Sequence, residues 1–151
     1  SLFAYCAREK IPAVTAAPLG MGAAVLNFLP GGMTFEQYFR LDGCRPMEKA
    51  IRFLVGLAPV MLHRHYLVRS QAVDLQSGRG PSTVIACQIC AGMAAAESLK
   101  IILRRGRVRA APHGMQFDAY ANKFVRTWRP FGNANPINAM AISLARRQLA
   151  L

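Results

Sequence analysis

The sequence predicts an α/β domain, in which a mixed sheet packs against a long buried helix and a C-terminal helix. Two β-rich runs, residues 11–17 and 23–29, are bounded by proline and glycine, as strands commonly are. Val84–Leu103 is apolar nearly all round, which is typical of a helix covered on more than one side. The length of 151 residues suits one domain, and the apolar fraction of 53% excludes a disordered polar chain.

The elements around these runs follow from periodicity and turn residues. Residues 2–10 predict a short helix, and residues 34–41 predict a third extended segment or a short helix. Residues 47–62 have apolar side chains at helical spacing. Gly56 and Pro59 inside this stretch indicate a kink or two short helices.

The second half of the chain contains one loop, one helix start, a hairpin and a last helix. Residues 69–83 are rich in glycine, serine and proline and predict a loop. Ser82 or Thr83 is a suitable N-cap for the long helix that follows. Two short strands around residues 121–123 predict a hairpin, and residues 136–151 predict a terminal helix opened by proline.

The glycine pair after the first strand raises the question of a phosphate site. Gly20-Met21-Gly22 begins like the dinucleotide-binding fingerprint, but Val25 stands where its third glycine or alanine belongs. A phosphate-binding glycine loop has to open a helix, whereas residues 23–30 have the composition of a strand. The pair therefore predicts a bend between two strands.

The four cysteines give one candidate nucleophile. They are too few and too irregularly spaced for a disulfide scaffold, which indicates a reducing, cytoplasmic setting. Cys87 and Cys90 form a CxxC, but no second ligand pair accompanies it, so packing in the core is the favoured interpretation. Cys44 lies in a polar loop beside Arg45, which could stabilise a thiolate, although no histidine is adjacent to act as its base.

Histidines do not predict a metal site here. His63 and His65 would share a face only on a strand. Together with Glu48 or His113 they could bind a metal, but ordinary surface histidines are far more common. No metal ligand is therefore predicted in this chain.

The long apolar helix has about the length of a membrane span. Gln88, Glu97 and Lys100 interrupt it, so we interpret it as a buried helix and predict no membrane association. Glu97 and Lys100 are three residues apart on this helix. They are expected to pair, since each satisfies a charge that would be costly to bury alone.

The strong positive charge favours an acidic partner. The net charge is +12, with 15 arginines against seven acidic residues. Nucleic acid, an acidic protein or an acidic part of the same protein could balance it, although a solvated basic face is the commoner case. The alternative function is a small nucleic-acid-binding module, but the aromatic residues do not interleave with the arginines as a stacking platform requires. The arginines cluster at Arg104, Arg105, Arg107 and Arg109, at Arg126 and Arg129, and at Arg146 and Arg147.

Three segments, residues 11–39, 80–103 and 112–130, carry extended patterns without one diagnostic catalytic motif. Together they resemble the ThiF/MoeB/HesA-type adenylyltransferases of the ubiquitin-activating-enzyme-like superfamily. The first segment is similar to the family's strand–turn–strand stretch and the third to its closing strand pair. The second is similar to a long helix near the dimer interface, which carries a Glu-x-x-Lys such as Glu97 and Lys100.

The resemblance implies that residues 1–151 are the C-terminal part of a partial Rossmann-like ThiF-type domain. The family uses ATP and Mg²⁺ to adenylate the C-terminal carboxylate of a ubiquitin-like or sulfur-carrier protein. Its phosphate loop lies in an N-terminal half outside these residues, so no cofactor-binding residue is expected here. Dimerisation, or pairing with the missing half, and carrier binding are the expected roles. Cys44 lies roughly where some members place an acceptor cysteine.

Overall fold

The computed structural model describes residues 1–66 and 82–148. Its centre is a four-stranded sheet in which the strands follow one another in chain order. The strands are β1 (Ala13–Leu19), β2 (Gly22–Phe28), β3 (His113–Asp118) and β4 (Lys123–Trp128). The helices are α1 (Leu2–Arg8), α2 (Phe35–Phe39), α3 (Pro46–Leu57), α4 (Val84–Leu103) and α5 (Pro136–Gln148). Short 3₁₀ helices cover Leu62–His65 and Gly132–Ala134. The α/β class predicted from the sequence is confirmed.

The sheet differs from the predicted mixed sheet in its strand directions. All three strand pairs in the described part of the chain are antiparallel. The parallel contacts are two isolated bridges, Gly20 with Ser82 and Asn27 with Ala110. Tight turns join β1 to β2 and β3 to β4, and such short connections can only give antiparallel pairs.

The bend between β1 and β2 forms where the sequence predicts it. Leu19 pairs with Gly22, and Gly20 between them has φ +59°, a conformation that favours glycine. Gly22 also pairs with Asp118, and a Cβ at this glycine would lie 2.0 Å from the Phe117 carbonyl oxygen. Gly20 therefore allows a tight turn and Gly22 a close contact between strands. Gly22 is the first residue of β2, so the glycine pair precedes a strand and not a helix.

An aromatic cluster holds the N-terminal helices against one end of the sheet. Phe28 on β2 lies beside Tyr38 and Phe39 of α2, which are all buried. Phe3 on α1 stacks on Phe35 with 4.1 Å between ring centroids. For residues 34–41 the sequence allows an extended segment or a short helix, and the structure has a short helix there, Phe35–Phe39. The capping box at Thr34 satisfies the first backbone amides of this helix.

Helix α4 is much less covered than the sequence predicts. It begins at the predicted N-cap, where Thr83 Oγ1 accepts a hydrogen bond from the Ala86 amide at 3.2 Å. One side of α4 lies across β1 and β2, and only Ala86 and Glu97 are buried. The prediction of a buried helix is therefore wrong for the described chain, because the sheet covers one side only. Large apolar side chains on the rest of the helix are 52–78% exposed, namely Val84, Ile85, Leu99, Ile102 and Leu103.

Helix α4 also meets the length and hydropathy criteria of a membrane span, with a mean hydropathy of 1.4. It is the single such helix among the residues that the structure describes. Most of the predicted loop at residues 69–83, and the last three residues of the predicted terminal helix, lie outside the described residues.

Candidate functional site

A buried polar network joins α4 to the centre of the sheet. Glu97 is 4% exposed, and its Oε2 accepts a hydrogen bond from Asn27 Nδ2 at 2.7 Å. Its other oxygen, Oε1, accepts from Lys100 Nζ at 2.5 Å. The predicted pairing of Glu97 with Lys100 is therefore confirmed. Asn27 Nδ2 also donates to the Arg109 carbonyl oxygen at 3.1 Å, so the network reaches the loop that precedes β3.

A basic cleft opens beside this network, between α4 and the β3–β4 hairpin, and has a volume of about 400 Å³. Its apolar walls include Met93 of α4, Met115 of β3 and Phe124 of β4. Two sequence-distant groups of cations border it. One group is Lys100, Arg107 and Arg109, from the end of α4 and the segment after it, and the other is Arg126 on β4.

The cleft has an excess of positive charge, because its carboxylate is already paired. Both carboxylate oxygens of Glu97 accept hydrogen bonds, one from Lys100 and the other from Asn27. Arg107, Arg109 and Arg126 form no ion pair with any residue among 1–66 and 82–148. Arginine side chains in such surroundings favour an anionic ligand, since the guanidinium donates to carboxylate or phosphate in a bidentate manner.

A second polar network closes the turn between β1 and β2. The Tyr66 hydroxyl donates to Asp118 Oδ2 and accepts from the Met21 amide at 2.8 Å. Asp118 Oδ1 in turn accepts from the Ala121 amide at 2.9 Å in the β3–β4 turn. Burial and the bond to Asp118 raise the pKa of Tyr66 to about 12. Tyr66 therefore stays protonated at neutral pH and ties two hairpin turns together.

Cys44, the predicted acceptor, lies in the turn between α2 and α3 and is half-buried. Its Sγ donates to the Arg40 carbonyl oxygen at 3.7 Å. Glu48 lies close enough to hydrogen-bond with the same thiol, and the pKa of Glu48 is lowered chiefly by its hydrogen bond to Arg52. Cys44 does not border the basic cleft. Its role as an acceptor stays a prediction.

The CxxC does not pack in the core, contrary to the sequence-based interpretation. Cys87 is exposed and Cys90 is half-buried, and both are free thiols. The reason is again that the sheet covers only one side of α4. Burial, and to a smaller extent the neighbouring Cys87, raise the pKa of the Cys90 thiol. A thiol with a raised pKa is less reactive near neutral pH, so Cys90 is a weak nucleophile there.

The histidines form no metal site within residues 1–66 and 82–148, where no group of three ligating side chains comes together. His63 and His65 lie on the 3₁₀ helix Leu62–His65. Burial lowers the pKa of His63, against an opposing effect of Asp118. His63 is thus neutral at physiological pH, which suits a packing role.

Both networks and the cleft depend on contacts that the sequence does not display. Arg126 is distant in sequence from Arg107 and reaches the same cleft only because the β3–β4 hairpin folds back beside α4. Two features of the sequence indicate this site, namely the cluster of arginines between residues 104 and 109 and the spacing of Glu97 and Lys100.

Comparisons with known proteins give a fold but no family assignment. No family model matches the sequence, and no curated protein matches it. Similar solved structures include three of MccB from E. coli, one with ATP, one with succinimide and one with selenomethionine MccA. Each has a TM-score of 0.50 and 15% sequence identity, and the match covers 84% of this chain and 31% of that chain.

The chain therefore spans about a third of the length of MccB. At this identity the similarity establishes a shared fold and nothing finer. The prediction of a partial Rossmann-like α/β domain is confirmed by it.

Proposed function

We propose that the chain is the C-terminal portion of a ThiF-family, ubiquitin-activating-like adenylyltransferase. The whole protein would use ATP and Mg²⁺ to activate the C-terminal carboxylate of a ubiquitin-like or sulfur-carrier protein in the cytoplasm. The observation that carries the proposal is the shared fold with MccB, a ThiF/MoeB-type adenylyltransferase solved with ATP. The paired Glu97 and Lys100 on α4 are consistent with the Glu-x-x-Lys helix of the same family.

In this proposal the nucleotide site lies in the part of the fold that the chain does not span. Gly20 and Gly22 form a strand turn, and a strand offers no helix N-terminus for a triphosphate. Calorimetric titration of the 151-residue chain with ATP and Mg²⁺ is expected to show no binding in the micromolar range. Clear micromolar binding would mean that the chain holds its own nucleotide site, and the division of roles would be wrong.

The coding sequence upstream of Ser1 offers a direct test of the proposed activity. It is expected to encode a Gly-x-Gly-Gly-x-Gly after a strand, followed by an acidic strand end. If so, the longer protein should catalyse exchange between ATP and pyrophosphate in the presence of its carrier. A gene without that motif would refute the adenylyltransferase proposal.

Cys44 can be tested in the same longer protein. A Cys44→Ser variant is expected to retain ATP–pyrophosphate exchange and to lose any thioester with the carrier, because only the transfer step needs the thiol. Cys87→Ser is the matched control, since its thiol is exposed on α4. Loss of the thioester in the control but not in Cys44→Ser would assign the acceptor role elsewhere.

The exposed side of α4 is proposed to pack against a second copy of the chain. Apolar side chains there are far more exposed than is usual for a free surface. Between them lie Ala91, Gly92 and Ala95, whose small size would let another helix approach closely. The resemblance of this helix to one near the family's dimer interface supports the same partner.

Sedimentation analysis tests the dimer. The chain is expected to sediment as a dimer at micromolar concentration, and A95E/I102E as a monomer, because both substitutions place charge on the exposed side of α4. Leu2→Glu on α1, at a residue 74% exposed, is the control and should stay dimeric. If the unsubstituted chain were a monomer, a second copy could not be what packs on the exposed side of α4. The remaining candidate in this proposal would be the N-terminal half of the longer protein.

A further inference from the structure

We propose that the basic cleft between α4 and the β3–β4 hairpin binds an acidic segment of a protein chain. The segment would carry one apolar side chain between two carboxylates. This proposal does not rest on adenylation, because it uses only side chains of the described cleft. Four features of the cleft support it: its charge, its apolar walls, its length and the arginine that lies over its aromatic ring.

The charge of the cleft selects an anion. Lys100, Arg107, Arg109 and Arg126 border it, and among the described residues Glu97 is the one carboxylate beside them. Glu97 is neutralised by Lys100, so the three arginines are left to face a ligand. A ligand with two carboxylates could engage more than one of these arginines, with the bidentate geometry that arginine favours.

The walls of the cleft select an apolar group as well. Met93 and Met115 are half-buried, and both border the cleft, whose volume is about 400 Å³. Unbranched methionine side chains adapt to differently shaped apolar groups, as they do at peptide-binding surfaces. A simple inorganic anion would leave these walls in water, whereas an aliphatic side chain would cover them.

The dimensions of the cleft suit a short peptide. Its wall on α4 extends from Met93 to Lys100, which is roughly 10 Å along a helix axis. An extended peptide of about three residues has that length. A segment with one apolar residue between two acidic residues therefore matches the length of the cleft, its apolar walls and its excess of arginine.

The same cleft is a poor site for a nucleic acid base. Within residues 1–66 and 82–148, Phe124 is the one aromatic ring that borders it, and the Arg126 guanidinium lies over that ring at 5.5 Å from its centroid. A base could stack on this face of the ring only by displacing the arginine. The acidic protein segment uses both residues where they stand, so it is the favoured occupant.

The test uses the 151-residue chain and three blocked peptides that differ in one feature each. The probe contains Asp-Leu-Glu, the second peptide contains Asn-Leu-Gln, and the third contains Asp-Ser-Glu. Binding is followed by amide chemical shifts in physiological salt, which also locate the site. The Asp-Leu-Glu peptide should shift amides of residues 93–100 and 107–126. The other two should bind at least about tenfold more weakly, because Asn-Leu-Gln lacks the carboxylates and Asp-Ser-Glu lacks the apolar side chain.

Two arginine pairs in the same basic run provide matched variants. R107A/R109A removes two cleft cations and should weaken binding of the Asp-Leu-Glu peptide by about tenfold or more. R104A/R105A removes the same charge from exposed residues outside the cleft and should change affinity by less than about twofold. Thermal unfolding of both variants checks that each is folded.

Equal weakening by the two double variants would show a diffuse basic surface and overturn the proposal. Equal affinity for the three peptides, or no shifts at all, would overturn it too. A random DNA duplex serves as competitor, and tighter binding of DNA at the same amides would assign the cleft to nucleic acid instead. None of these results depends on ATP binding or on the upstream sequence, so failure here is distinct from failure of the proposed function.

Discussion

Replacing Lys100 with methionine should destabilise the chain more than replacing Glu97 with glutamine. The two residues form one ion pair, but their exposure differs. The side chain of Lys100 is 39% exposed, whereas that of Glu97 is 5% exposed. After Glu97→Gln the ammonium group can turn to water. After Lys100→Met the carboxylate stays buried against Asn27 without the ammonium group that pairs with it.

The magnitude follows from this asymmetry. Removing one partner of a fully buried pair costs about 3–5 kcal/mol, chiefly because a charge is left buried. Partial exposure of the pair reduces this, so we expect about 2–3 kcal/mol for Lys100→Met. Glutamine can still accept from Asn27, so Glu97→Gln should cost about 1–2 kcal/mol. The double variant E97Q/K100M should have a free energy of unfolding close to that of E97Q, since neither variant leaves a buried charge without its partner.

Chemical denaturation, followed by circular dichroism, measures these free energies of unfolding. Lys49→Met is the control, because Lys49 is exposed on α3 and forms no ion pair within the described residues. It should change stability by less than about 0.5 kcal/mol. If Glu97→Gln cost more than Lys100→Met, or if E97Q/K100M were no more stable than K100M, the argument from a stranded buried carboxylate would fail.

Three further expectations concern α4, the tyrosines and the thiols. In the A95E/I102E variant, where no second copy is expected on α4, Gly92→Ala should stabilise the chain by about 0.5–1 kcal/mol in denaturant unfolding. A Cβ there meets nothing within 4 Å and alanine favours a helix, so a loss of stability would contradict this. Burial raises the pKa of Tyr38 and of Tyr66 to about 12, so their contribution to stability is complete below about pH 10 and is lost as pH rises towards 12. Tyrosinate absorbance that completed its rise near pH 10 in the folded chain would refute it. Alkylation at mildly alkaline pH should modify Cys87 several-fold faster than Cys90, whose pKa is raised by burial, and peptide mass mapping would show the order.

The sequence predicted the local features of the fold well. Both early strands, the turn at Gly20, the N-cap Thr83 and the later hairpin are set by residues near one another in the chain. Turn chemistry, capping and alternation act over a few residues, so a single sequence displays them. The pairing of Glu97 with Lys100 was predictable for the same reason, because it needs only helical spacing.

The features that the sequence did not reveal all depend on distant partners. Hydropathy shows that α4 is apolar, but it does not show which molecule covers each side. The helix was therefore predicted to be buried, and Cys87 with it, although the described chain covers one side only. The bond from Tyr66 to Asp118 joins residues 52 apart. No short-range pattern contains such a contact, and it is fixed only when the strand order is known.

The two proposed binding surfaces use different sides of α4 and should be independent. Successive helical residues are about 100° apart around the axis, so residues two apart point in roughly opposite directions. Met93 and Lys100 border the basic cleft, whereas Ala95 and Ile102 lie two positions further on and are exposed. The variant A95E/I102E should therefore abolish the dimer while leaving affinity for the Asp-Leu-Glu peptide within about twofold. A large loss of peptide affinity in this variant would mean that the second copy contributes to the cleft, because the substituted side chains themselves point away from it.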